Sequence, residues 1–466
     1  MDPNRTSPAP EPPLSIFRRI NRSPLARCLW LGVLVLLLQI PLLMIREVVN
    51  ERQNRKAEAL LEVASKWGQE QKLVGPVLEV PYEVERFAEV DGKQKTTTEV
   101  AYAFFLPDEL QLTADVDSEL RYRGIFEVPL HTSQLKLTGN FGAPDFGRLG
   151  ETPTKVLWER AKLNLYVSDT KGIAEASALA WSSYVLTFGP GTSSNLSGIS
   201  APIGAHAQSA SNFSFSLRVR GAEGIYFAPV GANTRATLSA DWPHPSFQGS
   251  WLPTARQVTA GGFTAEYSIP HLARDYPTAW NSASAALESN PNLSKAQTLL
   301  FGLSLEPSVD PYRMAERSAK YSILFLLLTF GSLWLFEVLG KQRIHSLQYL
   351  LIGAGMCLFF LLELALSEHI GFALAYTCAS GMITLLISGY CVAVLKERRR
   401  AAVIGSAIAS LYGGMYVLLG NEDFALLVGS LELFSALGVL MFLTRRIDWY
   451  ASPLAESPGA SAGPRP

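Results

Sequence analysis

Apolar positions are distributed very unevenly along this chain. Between residues 321 and 443 they form five nearly continuous runs, 321–339, 349–366, 371–395, 401–419 and 424–443, separated by short polar links. Each run is close to the ~20 residues that cross ~30 Å of hydrocarbon as a helix, so the pattern predicts five membrane spans. The links carry direction. Lys341 and Arg343 follow the first run, Lys396, Arg398, Arg399 and Arg400 the third, and Arg445 and Arg446 the fifth, whereas Glu368, His369, Glu422 and Asp423 occupy the alternate links. Basic links lie on the cytoplasmic side, so the first of the five enters from outside. An earlier segment must therefore carry the chain out. The apolar run 28–45, preceded by Arg18, Arg19, Arg22 and Arg27, fits that role. A signal peptide has the same basic flank and apolar core. No small-x-small cleavage site follows, however, and Arg46 and Glu47 open a charged stretch instead. The reading is an uncleaved anchor, six spans in all, and both termini in the cytoplasm. Pro41 within the anchor removes one backbone bond, which neighbouring helices can offset.

Between anchor and membrane block the period changes twice. Val48, Val49, Ala57, Leu60, Leu61, Ala64 and Trp67 can form one stripe of a helix with charged residues around it, which predicts a stalk over 46–74. Gly75-Pro76 ends that period. Short alternating runs follow at 77–82, 99–105, 110–115, 119–128, 134–138, 162–167, 214–220, 224–229 and 236–240. Alternation bounded by Gly, Pro, Asn and Asp predicts strands, and the expected architecture is a β-sandwich. The stretch 169–212 reads as loop with a short helix near 173–179. A faint echo links Arg121-Tyr122-Arg123-Gly124-Ile125-Phe126 to Arg218-Val219-Arg220-Gly221 followed by Ile225-Tyr226-Phe227. Duplication of a sheet and chance similarity of β-rich segments both account for it. The chain thus divides into a disordered tail at 1–17, anchor at 18–45, stalk at 46–74, external β-rich domain at 75–320, five-helix membrane block at 321–446 and a second tail at 447–466.

Composition sharpens this in two places. The 466 residues exceed one ordinary domain, and the hydrophobic fraction of 48% averages a soluble region with a membrane block. A net charge of −1 gives no sign of nucleic-acid binding. All four cysteines, Cys28, Cys357, Cys378 and Cys391, fall inside the predicted spans. The external domain must fold without disulfides although its compartment permits them.

Several separated motifs occur together: Trp67-Gly68, Gln71, Gly75-Pro76, Pro81-Tyr82, Tyr122-Arg123-Gly124-Ile125-Phe126 with Val128-Pro129, and Trp242-Pro243-His244-Pro245-Ser246-Phe247. They continue with Asp310-Pro311-Tyr312, Arg317-Ser318-Ala319-Lys320-Tyr321 and Leu366-Ser367-Glu368-His369-Ile370-Gly371-Phe372. In this order the chain resembles the CreD family of bacterial inner-membrane proteins, associated with cell-envelope integrity. The resemblance runs from Arg18 to Arg446. It implies a multi-pass inner-membrane location, a periplasmic β domain and a link to envelope stress, and it brings no reaction or catalytic residues.

The candidate chemistry is sparse. His131, His206, His244 and His271 are the external histidines, and none has metal-ligand spacing. No nucleophile elbow or phosphate loop occurs, so no catalytic residue, metal or cofactor is expected. His244 lies between two prolines beside Trp242 and Phe247, which marks Trp242, His244 and Phe247 as a candidate surface motif. A rigid turn whose aromatics anchor a loop is the structural alternative. Glu337, Glu363 and Glu432 fall inside the apolar runs. Glu337 is expected to snorkel to the interface beside Lys341. Glu363, Glu368, His369 and Glu432 form a candidate polar site toward the outer half of the bundle, because intramembrane carboxyls are costly unless protonated, paired or wet. Two functions follow. One is a non-enzymatic envelope factor, embedded in the lipid bilayer, whose β domain binds an envelope protein or ligand. The other is a proton-, ion- or lipid-coupled transporter using the intramembrane carboxyls.

Overall fold

The protein's structure, a computed structural model, describes residues 24–90, 93–194, 196–283, 290–306, 310–340, 344–395, 397–420 and 424–445. Both tails lie outside these residues, as do Lys341, Arg343, Lys396, Glu422, Asp423 and Arg446. The chain forms two compact units: Asn54–Ser308, and Met1–Gln53 with Val309–Pro466. A single helix, α1 (Pro24–Trp67), contains the anchor from Pro24 and the stalk as far as Trp67, with Pro41 inside it, whereas Gln71 to Val74, expected in the stalk, already belong to a strand. At the end of α1 Gly68 takes φ +142°, and a Cβ there would press into the Arg220 carbonyl.

The β unit contains, among its described residues, a ten-stranded and a nine-stranded mixed sheet. The strands that matter are β1 (Gln71–Val90), β2 (Lys93–Phe105), β3 (Glu109–Arg123), β4 (Phe126–Phe141), β5 (Lys162–Val167) and β6 (Ser211–Ala222). They continue with β7 (Gly224–Phe227), β8 (Asn233–Ala240), β9 (Gly262–Pro270), β10 (Ala279–Ser282) and β11 (Phe301–Ser304). One sheet has the central order β5-β1-β7-β11 and the other β9-β8-β3-β4-β6. Alternation puts one face of each strand into a shared core: Val80, Phe104 and Leu163 come from the first sheet, Leu112, Leu137 and Phe215 from the second. Burial of that much apolar surface replaces the absent disulfides as the source of stability.

Three local expectations change. The run 119–128 is not one strand but the end of β3, a turn at Gly124-Ile125 and the start of β4, with Arg123 opposite Phe126. Gly124 supplies the turn at φ +64°, and because alternation continues on both sides the pattern hides the reversal. The stretch 169–212 carries short strands, Ile173–Ala176, Leu179–Trp181 and Gly198–Pro202 among them, rather than a helix at 173–179. The echo segments take different courses: Arg123 leads through a hairpin into the neighbouring strand, whereas β6 leads into β7 in the other sheet.

Within the β unit the end of α1 packs Leu60, Val63, Ala64 and Trp67 against Val128, Leu130 and Ala222. This i, i+3, i+4, i+7 stripe leaves Leu61 exposed. Arg121 and Arg220 place their guanidinium carbons 4.2 and 4.7 Å from the Trp67 ring centroid.

The helical unit continues with α3 (Pro311–Lys320), α4 (Ser322–Gly340), α5 (Ser346–Ile370), α6 (Phe372–Leu395), α7 (Arg398–Gly420) and α8 (Ala425–Thr444), after the short α2 (Pro291–Thr298) of the β unit. Among the described residues four helices, α1, α5, α6 and α7, are long and apolar enough to cross a membrane, and α3 with α4 makes a fifth if that pair, bent by 46°, counts as one span. In α8 the apolar stretch is the shorter Leu426–Val439. Leu38 of α1, Phe330 of α4, Phe359 of α5 and Tyr412 of α7 share one core.

Candidate functional site

The segment 310–320 begins as a helix for local reasons. Asp310 accepts a hydrogen bond from the Tyr312 amide at 3.0 Å, and Pro311 occupies the first turn, where its missing donor costs nothing. Tyr312, Ala315, Ser318 and Ala319 then fall on one buried face. This amphipathic α3 is stitched to its neighbours by polar contacts. Ser318 Oγ donates to Glu363 Oε2 of α5 at 2.7 Å, and Tyr312 Oη donates to Glu368 Oε1 at 3.0 Å. Arg52 of α1 approaches the same Glu368 oxygen at 3.7 Å, and Arg46 Nη2 donates to the Ala319 carbonyl at 2.8 Å. Two carboxyls near the C-terminal end of α5 therefore hold α3, and one of them also engages α1.

Glu363 is 0% exposed, and its Oε1 has no hydrogen-bond partner among the described residues. Around it stands an aromatic shell. Phe359 lies 4.5 Å from Tyr412 and 5.4 Å from Tyr376 between ring centroids, and Tyr376 Oη donates to the Tyr412 carbonyl at 2.6 Å. Glu432 of α8 is half-buried with its carboxyl seated directly against Gly414 of α7, where any Cβ would collide with it. His369 is exposed. Among the described residues no hydrogen bond joins Glu363, His369 and Glu432, although Tyr376 lies within electrostatic reach of both carboxyls. Glu363 and Glu368 bond to α3, whereas among the described residues His369 and Glu432 make no hydrogen bond to it. Sequence reasoning missed Ser318, Tyr312, Arg46 and Arg52. The Asp310-Pro311 cap with an apolar i, i+3 pattern was the available signal for α3. Glu337 does not snorkel: it is buried and accepts from Tyr349 Oη at 3.1 Å.

The family model for the inner membrane protein CreD matches residues 23–450. The chain belongs to the CreD family. It is 32% identical over 427 residues, 91% of this chain and 93% of the relative, to the inner membrane protein CreD of Escherichia coli (strain K12). Like that relative, this CreD-family protein is an inner-membrane protein.

In its β domain the candidate surface motif is mostly an anchor. Trp242 is buried, contrary to its expected place on the surface, because its indole Nε1 donates to the carbonyls of His244 and Glu306 at 3.1 and 3.3 Å and thereby closes the Pro-rich turn. Phe247 packs edge-on against Phe263, with centroids 5.3 Å apart, and the His244 side chain is exposed. The unusual histidine is His131. It is 1% exposed, with Nδ1 2.8 Å from Ser133 Oγ and Nε2 3.2 Å from the Gly224 carbonyl. Burial pushes its pKa down to about 4, so it is neutral at pH 7. Burial pushes the Glu79 carboxyl up, while bonds from Ser193 and Asn164, the latter at 2.7 Å, pull it the other way.

Proposed function

We propose that this protein supports cell-envelope integrity and envelope-stress tolerance without catalysing a reaction. Its β domain, standing in the periplasm, engages an envelope protein or ligand, and the two segments that join it to the bundle carry the result to the membrane. The observation behind this reading is the stitching of those segments. α1 and α3 are bonded to each other through Arg46 and Ala319, and both are bonded to Glu368 of α5. Displacement of either segment is thereby borne by the other and by α5. Photocrosslinking in living cells from β-domain surface positions should trap a specific envelope component. Absence of any specific product, from every surface position and under envelope stress, would sink the proposal.

The reading includes six spans with both termini in the cytoplasm, supported by the alternating basic links. Reporter fusions after Gly92 and Gly204 should read as external, and those at Arg343, Arg398 and Arg446 as cytoplasmic. A reversed result at Arg398 would remove this orientation. Coupled transport is a second reading, favoured by one observation: Glu363 is fully buried among helices with one oxygen unbonded. Proton flux in vesicles, abolished by Glu363→Gln, would select transport over the first reading.

A further inference from the structure

Beside the start of β1 the β unit holds a cleft of about 490 Å³, within the ~300–1,000 Å³ of small-molecule sites. Two neighbouring strands supply part of its lining. Val74 of β1 and Tyr166 of β5 stand directly opposite each other, and both are buried. Next to them Lys72 and Ser168 are tied together: the Ser168 amide donates to the Lys72 carbonyl at 3.0 Å, and the Lys72 amide donates to Ser168 Oγ at 2.9 Å. Leu196 and Ser197, just before the strand Gly198–Pro202, and Gln297 and Thr298, at the end of α2, line the rest. These segments are fixed as well. The Ser197 carbonyl accepts from the Val167 amide at 3.0 Å, the Leu196 carbonyl accepts from Thr192 Oγ1 at 2.8 Å, and α2 packs Leu293 and Ala296 into the core of the β unit. The cleft is therefore preformed, and Ser168, Ser197 and Thr298 keep it open to solvent.

The lining selects by charge and by donors. Ser168 Oγ donates to the Glu70 carbonyl at 2.7 Å, and Thr298 Oγ1 donates to the Lys295 carbonyl at 2.9 Å. With their protons so engaged, both hydroxyls offer lone pairs, and a ligand must bring donors to meet them. An ionised carboxylate has none to bring. Lys72 is the charged side chain among the described lining residues, and its Nζ pairs with Glu70 at 2.9 Å. That pairing leaves no net charge to hold an ion of either sign, while the ammonium still has protons for an acceptor. Gln297 carries a donor and an acceptor in one amide. A group that donates and accepts without charge is a hydroxyl. Val74, Leu196 and the Tyr166 ring add apolar surface suited to C–H faces. Hydroxyls arrayed on a carbon ring with apolar faces describe a sugar. We propose that this cleft binds a neutral saccharide, a mono- or disaccharide in size. The inference rests on the reading in which the β domain engages an envelope ligand, and it names the chemistry of that ligand.

The test uses the full-length protein in a polyoxyethylene detergent, whose headgroup contains no sugar. Fluorescently labelled protein is passed over an immobilised panel of neutral mono- and disaccharides of gluco, galacto and manno configuration, with their N-acetyl forms. The strongest hit is then titrated as free sugar by calorimetry. At least one sugar should bind. Ser197→Trp, which puts a large ring into the cleft from an exposed position, should abolish that binding while the thermal midpoint stays at the wild-type value. Gln297→Ala should weaken it about 3–10-fold, as loss of one neutral hydrogen bond does, and it serves if the Trp variant does not fold. The proposal is overturned if no sugar on the panel binds, or if the affinity is unchanged in Ser197→Trp or, where that variant does not fold, in Gln297→Ala. Acetate or putrescine bound in place of a sugar, and lost in Ser197→Trp, would equally overturn it by revealing an ion site. An envelope protein trapped by photocrosslinking while no sugar binds would sink this inference and leave the broader reading standing.

Discussion

The two units bury carboxyls by different means. In the β unit, Glu79 receives a short hydrogen bond from the Asn164 amide, with the Lys162 ammonium and Arg160 guanidinium close enough to favour its charge. In the helical unit, Glu363 has a single neutral hydroxyl, Ser318, and Glu337 receives the hydroxyl of Tyr349. A water-facing domain can surround a buried acid with cations whose other sides remain hydrated. Deep among the helices the groups bonded to Glu363 and Glu337 are hydroxyls, and a cation reaches a carboxyl only at Glu368, where Arg52 stands 3.7 Å away. Polar groups in the β unit therefore serve mainly to fix a loop or strand, whereas those in the bundle decide which helix lies against which.

The largest expected effect tests whether the β unit depends on its helix. Trp67→Ala removes the ring held between Arg121 and Arg220 along with its packing on the second sheet, and should destabilise the β unit by about 3 kcal/mol. Hydrogen exchange in the full-length protein should show lost protection in β4 and β6 while α5 to α7 stay protected. Equal loss in both units would end the distinction drawn above.

Acid should act on the β unit next. Because the folded-state pKa of His131 is lowered to about 4, both folded and unfolded chains leave it neutral above pH 6.5, and its full contribution is present there. As pH falls from 6.5 toward 4 the unfolded chain takes the proton first, and stability is lost by up to about 3 kcal/mol. Glu79 works oppositely, since a raised carboxyl pKa stabilises at low pH and loses that contribution as pH rises. Glu223, also raised by burial, acts in the same sense, so urea unfolding from pH 7 to pH 4 in a Glu79→Gln, Glu223→Gln background removes both opposing carboxyls and leaves the histidine to be read. A flat profile there would contradict its burial as a neutral ring.

Smaller effects sharpen the helical side. Glu363→Ala leaves the buried Ser318 hydroxyl without its acceptor and should loosen α3 by about 2 kcal/mol, whereas Glu363→Gln preserves an acceptor and should cost under about 1 kcal/mol. Exchange protection of α3 amides reads both, and equal loss in the two variants would deny the bond its role. Tyr312→Phe should cost least, about 0.5–1 kcal/mol, since Glu368 keeps Arg52 nearby.

How far the sequence carries depends on the range of the interaction that decides each feature. The apolar runs near 349–366, 371–395 and 401–419 reappear as α5, α6 and α7, because length and hydropathy are local properties. Strands at 162–167 and 236–240 were equally legible through alternation. The α3 seam was not, since a serine and a tyrosine on a short helix give no sign that glutamates some fifty residues later will receive their hydroxyls. Glu363 stood out by type, but which groups its carboxyl bonds to depends on helix rotation, which the apolar pattern leaves open. Trp242 looked like a surface feature because its prolines suggest an exposed turn; the Glu306 carbonyl that draws the indole inward lies far along the chain.

One strand order sets a schedule. β1 pairs in parallel with β7, Gln71 opposite Ile225, and β7 pairs with β11, Gly224 opposite Ser304. The middle of that sheet thus joins the first part of the domain to its last. Synthesis delivers the chain from its N-terminus, so β1 waits with an open edge until more than half of the domain has followed. Closing such separations is slow, and a strand that stays uncovered in the meantime can pair with another chain. A variant that delays β7 or β11 should therefore reveal itself as aggregation or degradation of newly made protein, even where the finished fold is scarcely weakened.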